Sequence, residues 1–409
     1  MNSAKIKALV VRAIYFVLHF LATILINRTL TPSMKGEYAY AINFVSILSI
    51  FGSLGLDLLY LEYKKKYGEE VTGTFIFLSL VSSATLLIIG IIVHFLGGSL
   101  DAFMICLLSA MHLLSQNVSL MSCSVDIKKR NLIVLEVQIV YVLFLVIIWN
   151  NGIMDLALFL ILYFINDAAV FLMLILRNRY RINIHFLKIN GVKSTTLKIL
   201  SQGFNAMLIS LLIVFNYNLD VIMMRYMKVN FSDIGIYSVG VTLSNIIILI
   251  PDAFKEISIG DVVHENAAIK VQKYIRICLL LMSISLVAFL FVGKFFVVLF
   301  YGQAYQEAYN VTLILFIGDM FMCLYKLIHP LFIADGKRWK VLLYLLIAVG
   351  INAFANYIVI PIYGKYGAAW ASVVSYFATG LMFYFSFKYN YFSKKKIESR
   401  CENEYETKN

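Results

Sequence analysis

Charge is scarce in this chain. Asp, Glu, Lys and Arg make up 14% of its residues, against about a quarter in an ordinary soluble domain. No polar stretch is long enough to fold separately, the longest running from Arg177 to Lys198. The chain carries no GxxxxGK[ST] loop, no glycine-rich nucleotide fingerprint and no evident catalytic carboxylate pair, which argues against ATP hydrolysis. There are five cysteines but no CxxC, and no HxxxH. His94, His112, His185 and His264 stand alone, so neither a disulfide framework nor a metal site is expected.

Apolar runs are what the chain has instead. Hydrophobic residues make up 61% of it, including 31 Phe and 26 Tyr. A bilayer core about 30 Å thick is crossed by roughly 20 helical residues, and the hydropathy pattern predicts crossings at 8–30, 38–62, 73–96, 100–123, 132–149, 155–176, 199–224, 235–254, 274–293, 309–333, 341–361 and 367–388. Peptide groups within hydrocarbon must bond within their own segment, so these are expected to be helices. The first has a basic start, Lys5 and Lys7, as a signal peptide would. Its apolar run is interrupted by Arg12 and His19, however, and no small-x-small cleavage pattern precedes Arg28, so a retained helix is expected.

Lysine and arginine set the orientation. With both termini cytoplasmic, 28 of the 35 Lys and Arg fall on the inner side and six on the outer, while Lys326 lies within a span. This is the positive-inside pattern. It also accounts for the +12 net charge without nucleic acid as a partner.

A weak internal repeat relates the two halves. Arg28 closes the first helix, and after a short polar connection Gly36-Glu37-Tyr38 opens the second; Arg225 closes the seventh, and Gly235-Ile236-Tyr237 opens the eighth. Six crossings separate them, so the halves share an orientation and would be related by an axis along the membrane normal. The expected organisation is an all-α membrane protein of about 12 transmembrane helices. Two six-helix halves, 1–190 and 191–390, surround a central cavity, and a cytoplasmic tail covers 391–409.

The same residues carry a family resemblance. Arg28-Thr-Leu-Thr-Pro32 with Gly36-Glu-Tyr38, Asp220 in NYNLDVIMM, DIGIYSVG at 233–240, LFYGQAYQEA at 299–308, ADGKRWK at 334–340 and INAFANYIVIPIYGKYGAAWASVVSY at 351–376 resemble the Wzx-type polysaccharide repeat-unit flippases of the MATE-like superfamily. The resemblance covers the start of the chain and most of 216–376. It implies a MATE-like fold and the movement of undecaprenyl-diphosphate-linked oligosaccharide, for O antigen or a related polysaccharide, across a bacterial inner membrane. Membrane lipids and other polysaccharide-assembly proteins are the implied partners. No cofactor is implied, and any coupling would be to H+ or Na+.

A sugar diphosphate loses its hydration in hydrocarbon and needs a polar path. Asp and Lys within a span cost about 2.5–3.5 kcal/mol on insertion scales, so ionisable residues within the spans are the natural candidates: His19, Asp57, Glu136, Asp167, Asp220, Asp319, Lys326 and His329. Lys326 and His329, three apart on one helical face before Pro330, are expected to contact the diphosphate, with Arg12 as a second cation. Ser201, Asn205, Asn216 and Asp220 are spaced to share one side of their helix. Asn352 and Asn356, at i and i+4, offer amides either to sugar hydroxyls or to neighbouring helices. Arg28 and Asp57 are read mainly as reaching for the headgroups, although Arg28 is kept among the path residues. Gly367, Ala371, Ser375 and Ala378 form a small-residue strip suited to close helix packing. Pro251 and Pro330 each remove a helical hydrogen bond and mark bending points. Two other functions are compatible with a polytopic bundle: a MATE-type cation-coupled antiporter and an O-antigen polymerase. The short outer loops count against the polymerase.

Overall fold

The computed structural model describes residues 3–97, 99–261 and 266–393. These residues are helical throughout apart from short connections, with no strand among them. The chain divides into two compact units, Met1–Val214 and Phe215–Asn409; the boundary expected from hydropathy is 190/191. The tail expected at 391–409 lies outside the described residues beyond residue 393.

Unit 1 contains α1 (Ser3–Thr29), α2 (Pro32–Ser53), α3 (Leu56–Tyr67), α4 (Val71–Phe95), α5 (Leu100–Asn150), α6 (Leu156–Asn178), α7 (His185–Asn190) and the first part of α8 (Val192–Tyr226). Unit 2 contains the rest of α8, then α9 (Phe231–Asp261), α10 (Ala267–Tyr301), α11 (Ala308–Ala334) and α12 (Arg338–Lys388).

Among the described residues, eight helical segments are long and apolar enough to cross a membrane. Three of them run 64, 50 and 55 residues, whereas one crossing takes about 20. Each of the three is interrupted. The first is divided by Gly68 (φ 76°) and the short 3-10 turn Gly68–Glu70 between α3 and α4, and Leu54 (φ 50°) and Gly55 (φ 72°), in left-handed conformation, further separate α2 from α3. Asp126 (φ −151°, ψ 95°) bends α5, and its Oδ1 accepts from the amides of Lys128 and Lys129, at 3.0 Å each, which caps the second half of that helix. Gly364 (φ 54°, ψ −128°) bends α12, in a backbone region that L side chains rarely occupy.

Local chemistry explains the other helix starts. Thr31, Ser99 and Asp155 accept from Met34, Ala102 and Ala157 amides, and so satisfy donors left over at N-termini. Unit 1 packs around two apolar clusters. One joins Tyr60, Phe75, Met121, Leu174 and Phe186, so that α7 docks by its apolar side. The other joins Leu25, Tyr38, Leu145, Phe159 and Leu162. Large apolar side chains left exposed, such as Phe291 at 85% and Phe295 at 67% on α10, suit a lipid environment, where exposed apolar surface costs nothing.

Candidate functional site

Unit 2 has a sealed polar core. Asp220, on α8, is 1% exposed, and its carboxylate is filled by three donors. Tyr237 Oη donates to Oδ2 at 2.7 Å, Ser372 Oγ to Oδ2 at 2.5 Å, and Asn356 Nδ2 to Oδ1 at 2.6 Å. Asn356 Nδ2 also donates to Asn352 Oδ1 at 2.9 Å, and Ser375 Oγ to Asn216 Oδ1 at 2.8 Å. Asn356 thus bonds to a neighbouring helix and Asn352 bonds to Asn356 within α12, and α8, α9 and α12 are joined through one carboxylate. Asn216 Nδ2, Asn356 Oδ1 and Tyr217 Oη are buried without a partner. A Cβ on Gly367 would lie 2.4 Å from the Val359 carbonyl oxygen, so the two stretches of α12 on either side of Gly364 approach closely there. Ser201 and Asn205 are exposed and belong to unit 1, whereas Asn216 and Asp220 are buried in unit 2, so the four do not form one continuous polar face.

Asp319, on α11, is 1% exposed and accepts from Ser244 of α9. It borders a small enclosed space, together with Tyr217, Tyr237 and Tyr376. Further along α11, Lys326 Nζ is 2.7 Å from Asp252 Oδ1. This ion pair ties α11 to α9 beside both Pro251 and Pro330. The ammonium expected to stand ready for a diphosphate is thus already neutralised. Sequence reasoning misses Asp252 because the two residues lie 74 positions apart. His329 stacks on Tyr325 at 4.8 Å between ring centroids, with Nδ1 3.2 Å from the Tyr325 carbonyl oxygen. That contact requires Nδ1 to be the donor.

A third polar group in unit 2 lies among the connections at helix ends. Lys365, in the connection that contains Gly364, pairs with Asp233 and with Glu307, the latter at 2.7 Å. Burial pushes the ammonium's pKa down, but the bonds to the two carboxylates outweigh it and hold the pKa above its usual value.

Unit 1 is organised differently. Asp167, on α6, is 6% exposed and faces His112 of α5, with Oδ2 2.8 Å from Nδ1. Tyr163 Oη is 2.8 Å from the same nitrogen. One ring nitrogen serving two oxygens fixes the tautomer: with Asp167 ionised, Nδ1 must carry the proton, because a bare lone pair would face a carboxylate. His112 is therefore not a solitary histidine. It lines a cavity of about 300 Å³ shared by Ser49, Ser53, Asp57, Gln116 and Asn117, a volume at the lower end of ligand pockets. Among the described residues, the lining contains no Lys or Arg.

Arg28 is exposed in the last turn of α1, where a cation complements the helix dipole. The side chain of Arg12 lies outside the described residues. Among the described residues, no group of three or more His, Cys, Asp and Glu could hold a metal ion.

Comparison with known proteins adds an independent finding. A family model described as "Polysaccharide biosynthesis protein" matches residues 6–251. No curated protein matches the sequence significantly. Among solved structures, an inward-facing multidrug resistance MATE family transporter of the MOP superfamily is similar with a TM-score of 0.67 at 12% identity, over 95% of this chain and 99% of that one. Lipid II flippase MurJ in an inward closed conformation is similar with a TM-score of 0.63 at 16% identity, over 93% and 87%. The Vibrio cholerae MATE transporter VcmN, solved as a mutant, gives 0.58 at 12%, over 95% and 98%. At these identities the likeness shows the fold, which is that of the MATE/MOP transporters.

Proposed function

Because the chain belongs to the polysaccharide biosynthesis protein family, we propose that it carries an undecaprenyl-diphosphate-linked oligosaccharide repeat unit from the inner to the outer leaflet of a bacterial inner membrane, by alternating access. The family and the fold together mark a multi-pass membrane protein of translocation and not an enzyme. That removes the polymerase alternative. The observation that carries the substrate reading is the family match across 6–251, supported by a fold shared with a protein whose own cargo is lipid II.

The chemistry is compatible. A sugar diphosphate must exchange water for protein donors and acceptors, and the cavity of unit 1 offers hydroxyls, amides and an imidazole in that role. In this reading Lys326 meets the diphosphate only when Asp252 releases it, so the pair is an exchange point beside the two helix-bending prolines. We take the chain to cross the membrane twelve times with both termini in the cytoplasm, an orientation that the distribution of Lys and Arg supports.

Deleting the gene and analysing lipid-linked oligosaccharides tests the proposal. The expected result is loss of surface polysaccharide with the complete repeat unit retained on its lipid in the inner leaflet, both reversed by complementation. Normal surface polysaccharide in the deletion strain would overturn it. The second reading is cation antiport, favoured by one observation: the unit 1 cavity has a carboxylate and, among the described residues, no Lys or Arg in its lining. Ethidium efflux from cells carrying the protein, with no change in lipid-linked sugars on deletion, would decide for antiport.

A further inference from the structure

The last described turn of the chain fastens the end of α11 that lies beyond Pro330. α11 stops in a Schellman arrangement: Gly336 (φ 72°) turns the backbone, its amide donates to the Ile333 carbonyl at 3.1 Å, and the Lys337 amide donates to the Phe332 carbonyl at 2.8 Å. The turn sets Asp335 and Lys337 side by side, with Lys337 Nζ 3.0 Å from Asp335 Oδ2. Past α12 the backbone widens into a single π-helical turn, Tyr389–Ser393, from which Tyr391 Oη donates to the same Asp335 Oδ2. One carboxylate oxygen thus takes a donor from the α11–α12 turn and a donor from beyond α12.

These polar bonds rest on an aromatic base. The Tyr391 ring meets Phe332 edge-on at 6.1 Å between centroids and Phe387 at 5.4 Å, and the Lys337 ammonium lies 5.0 Å from the Tyr391 centroid and 5.8 Å from that of Phe332. Phe332 and Phe387 are fully buried, and Phe332 continues through Phe383 to Tyr325, the ring on which His329 stacks. The bonds above the base are wet: the Asp335 and Lys337 side chains are 39% and 30% exposed, so breaking and remaking them costs little. Pro330 leaves the carbonyl four residues earlier, that of Lys326, without its helical donor. α11 is therefore compliant just before its fastened end.

We propose that the Tyr389–Ser393 turn is a latch on α11. Closed, as in this structure, it holds the helix end beyond Pro330 against the end of α12 through Tyr391 and Asp335. Open, it frees that end to swing at Pro330, beside the Lys326–Asp252 pair. Only two bonds, sharing one oxygen at the wet edge, separate the two states. The proposal rests on alternating access and is independent of the cargo.

The test is amide hydrogen exchange, read by mass spectrometry on purified full-length protein in lipid nanodiscs, together with the melting temperature. In the wild type, amides at 331–337 should exchange through latch opening, faster than those at 236–248 of α9, which wait for global unfolding. Tyr391→Phe removes one hydroxyl from a charged acceptor and should speed exchange at 331–337 roughly ten- to hundredfold, with 236–248 and the melting temperature unchanged. Asp335→Asn should do the same, and the double variant should go no faster than the faster single one, because the two groups act through one bond. Tyr389→Phe, on the same turn and 65% exposed, should match the wild type. If Tyr391→Phe does not accumulate, Asp335→Asn decides alone. Unchanged exchange at 331–337 in the variants would overturn the proposal. A rise spread over all of unit 2 with a lowered melting temperature would also overturn it, since that marks a permanent staple. No cargo enters the measurement, so its failure is distinct from a failure of the export reading in the deletion strain.

Discussion

Each unit places a buried tyrosine just after a Gly-x-Tyr helix start, and the two tyrosines serve different kinds of core. Tyr237 in unit 2 donates to Asp220 within a buried network, where three donors from two helices, α9 and α12, meet one carboxylate on a third. Tyr38 in unit 1 bonds to Tyr141, and nearby Asp167 holds His112 at the wall of an open cavity. A similar motif can thus introduce either a structural lock or a solvated site. What differs is whether the neighbouring helix continues, as α9 does past Tyr237, or breaks, as α2 does at Leu54 and Gly55. Burying a carboxylate is tolerable in the first case because both of its oxygens accept hydrogen bonds.

Substitutions can break this contrast, beginning with the largest expected effect. A Cβ on Gly55 would lie 2.2 Å from the Gly203 carbonyl oxygen, and one on Gly203 would lie 2.2 Å from that of Leu54. Backbone packs on backbone, so Gly55→Ala combines left-handed strain with overpacking and should cost about 2–5 kcal/mol. Membrane abundance and melting temperature should both fall, whereas Gly350→Ala, with nothing within 4 Å of its added Cβ, should leave them unchanged.

Next comes Asp220→Leu, which strands the Tyr237 and Asn356 donors. Each stranded donor costs about 1–3 kcal/mol, and the loss should appear as lower thermal stability. Asp220→Asn keeps the size, and if the charge itself matters for export it should leave abundance near normal while reducing surface polysaccharide. Asp167→Asn should be milder in stability than Asp220→Leu, because water from the cavity can replace a lost partner on His112. Equal destabilisation by the two would erase the distinction between sealed and open cores.

The Lys326–Asp252 pair is a third test. Compared at matched abundance, Lys326→Arg should retain export and Lys326→Gln should accumulate lipid-linked precursor; full export by Lys326→Gln would remove Lys326 from the substrate path. Asp252→Asn leaves the ammonium without its partner, and a double-mutant cycle with Lys326→Gln should give a coupling of about 0.5–3 kcal/mol.

The smallest effect is expected at Lys365. Glu307 is 57% exposed, so Glu307→Gln should cost no more than about 1 kcal/mol, and Asp233→Asn, 28% exposed, somewhat more. The pH dependence follows from the raised ammonium pKa. Its stabilisation is complete below the unfolded-state value, hence at neutral pH, and disappears only as pH rises through the raised value. Alkaline melting curves of Lys365→Met and wild type should therefore converge.

The residues legible from sequence are those whose cost is local. Asp220, Asp319 and Lys326 are expensive in hydrocarbon wherever they point, so their presence inside apolar runs is visible at once. Their partners are not, because pairing depends on helix packing across 74 residues for Lys326 and Asp252, and 55 for His112 and Asp167. Sequence alone has Asp57 reaching for headgroups, since a charge near the end of an expected span usually does. The structure instead places it in the first turn of α3, just past a helix break. A signal for that break is present in Phe51-Gly-Ser-Leu-Gly55, where two glycines flank residues of ordinary helix propensity. Periodicity overrides it, because both sides of the break keep the apolar pattern of one continuous span.

The bend in α5 has a practical side. Asp126 alone, with its carboxylate on the amides of Lys128 and Lys129, turns the chain between two long helical stretches, and no loop is left at that point. An epitope or reporter inserted there would have no slack to occupy and would unwind both stretches from the middle. Markers for topology mapping therefore belong at Asn151, just beyond α5, where a periplasmic result is expected, and at Asn190, at the end of α7, where a cytoplasmic one is. Opposite results at both would invert the orientation. The same economy makes Asp126→Pro or a one-residue insertion an effective way to inactivate the protein without touching any polar core.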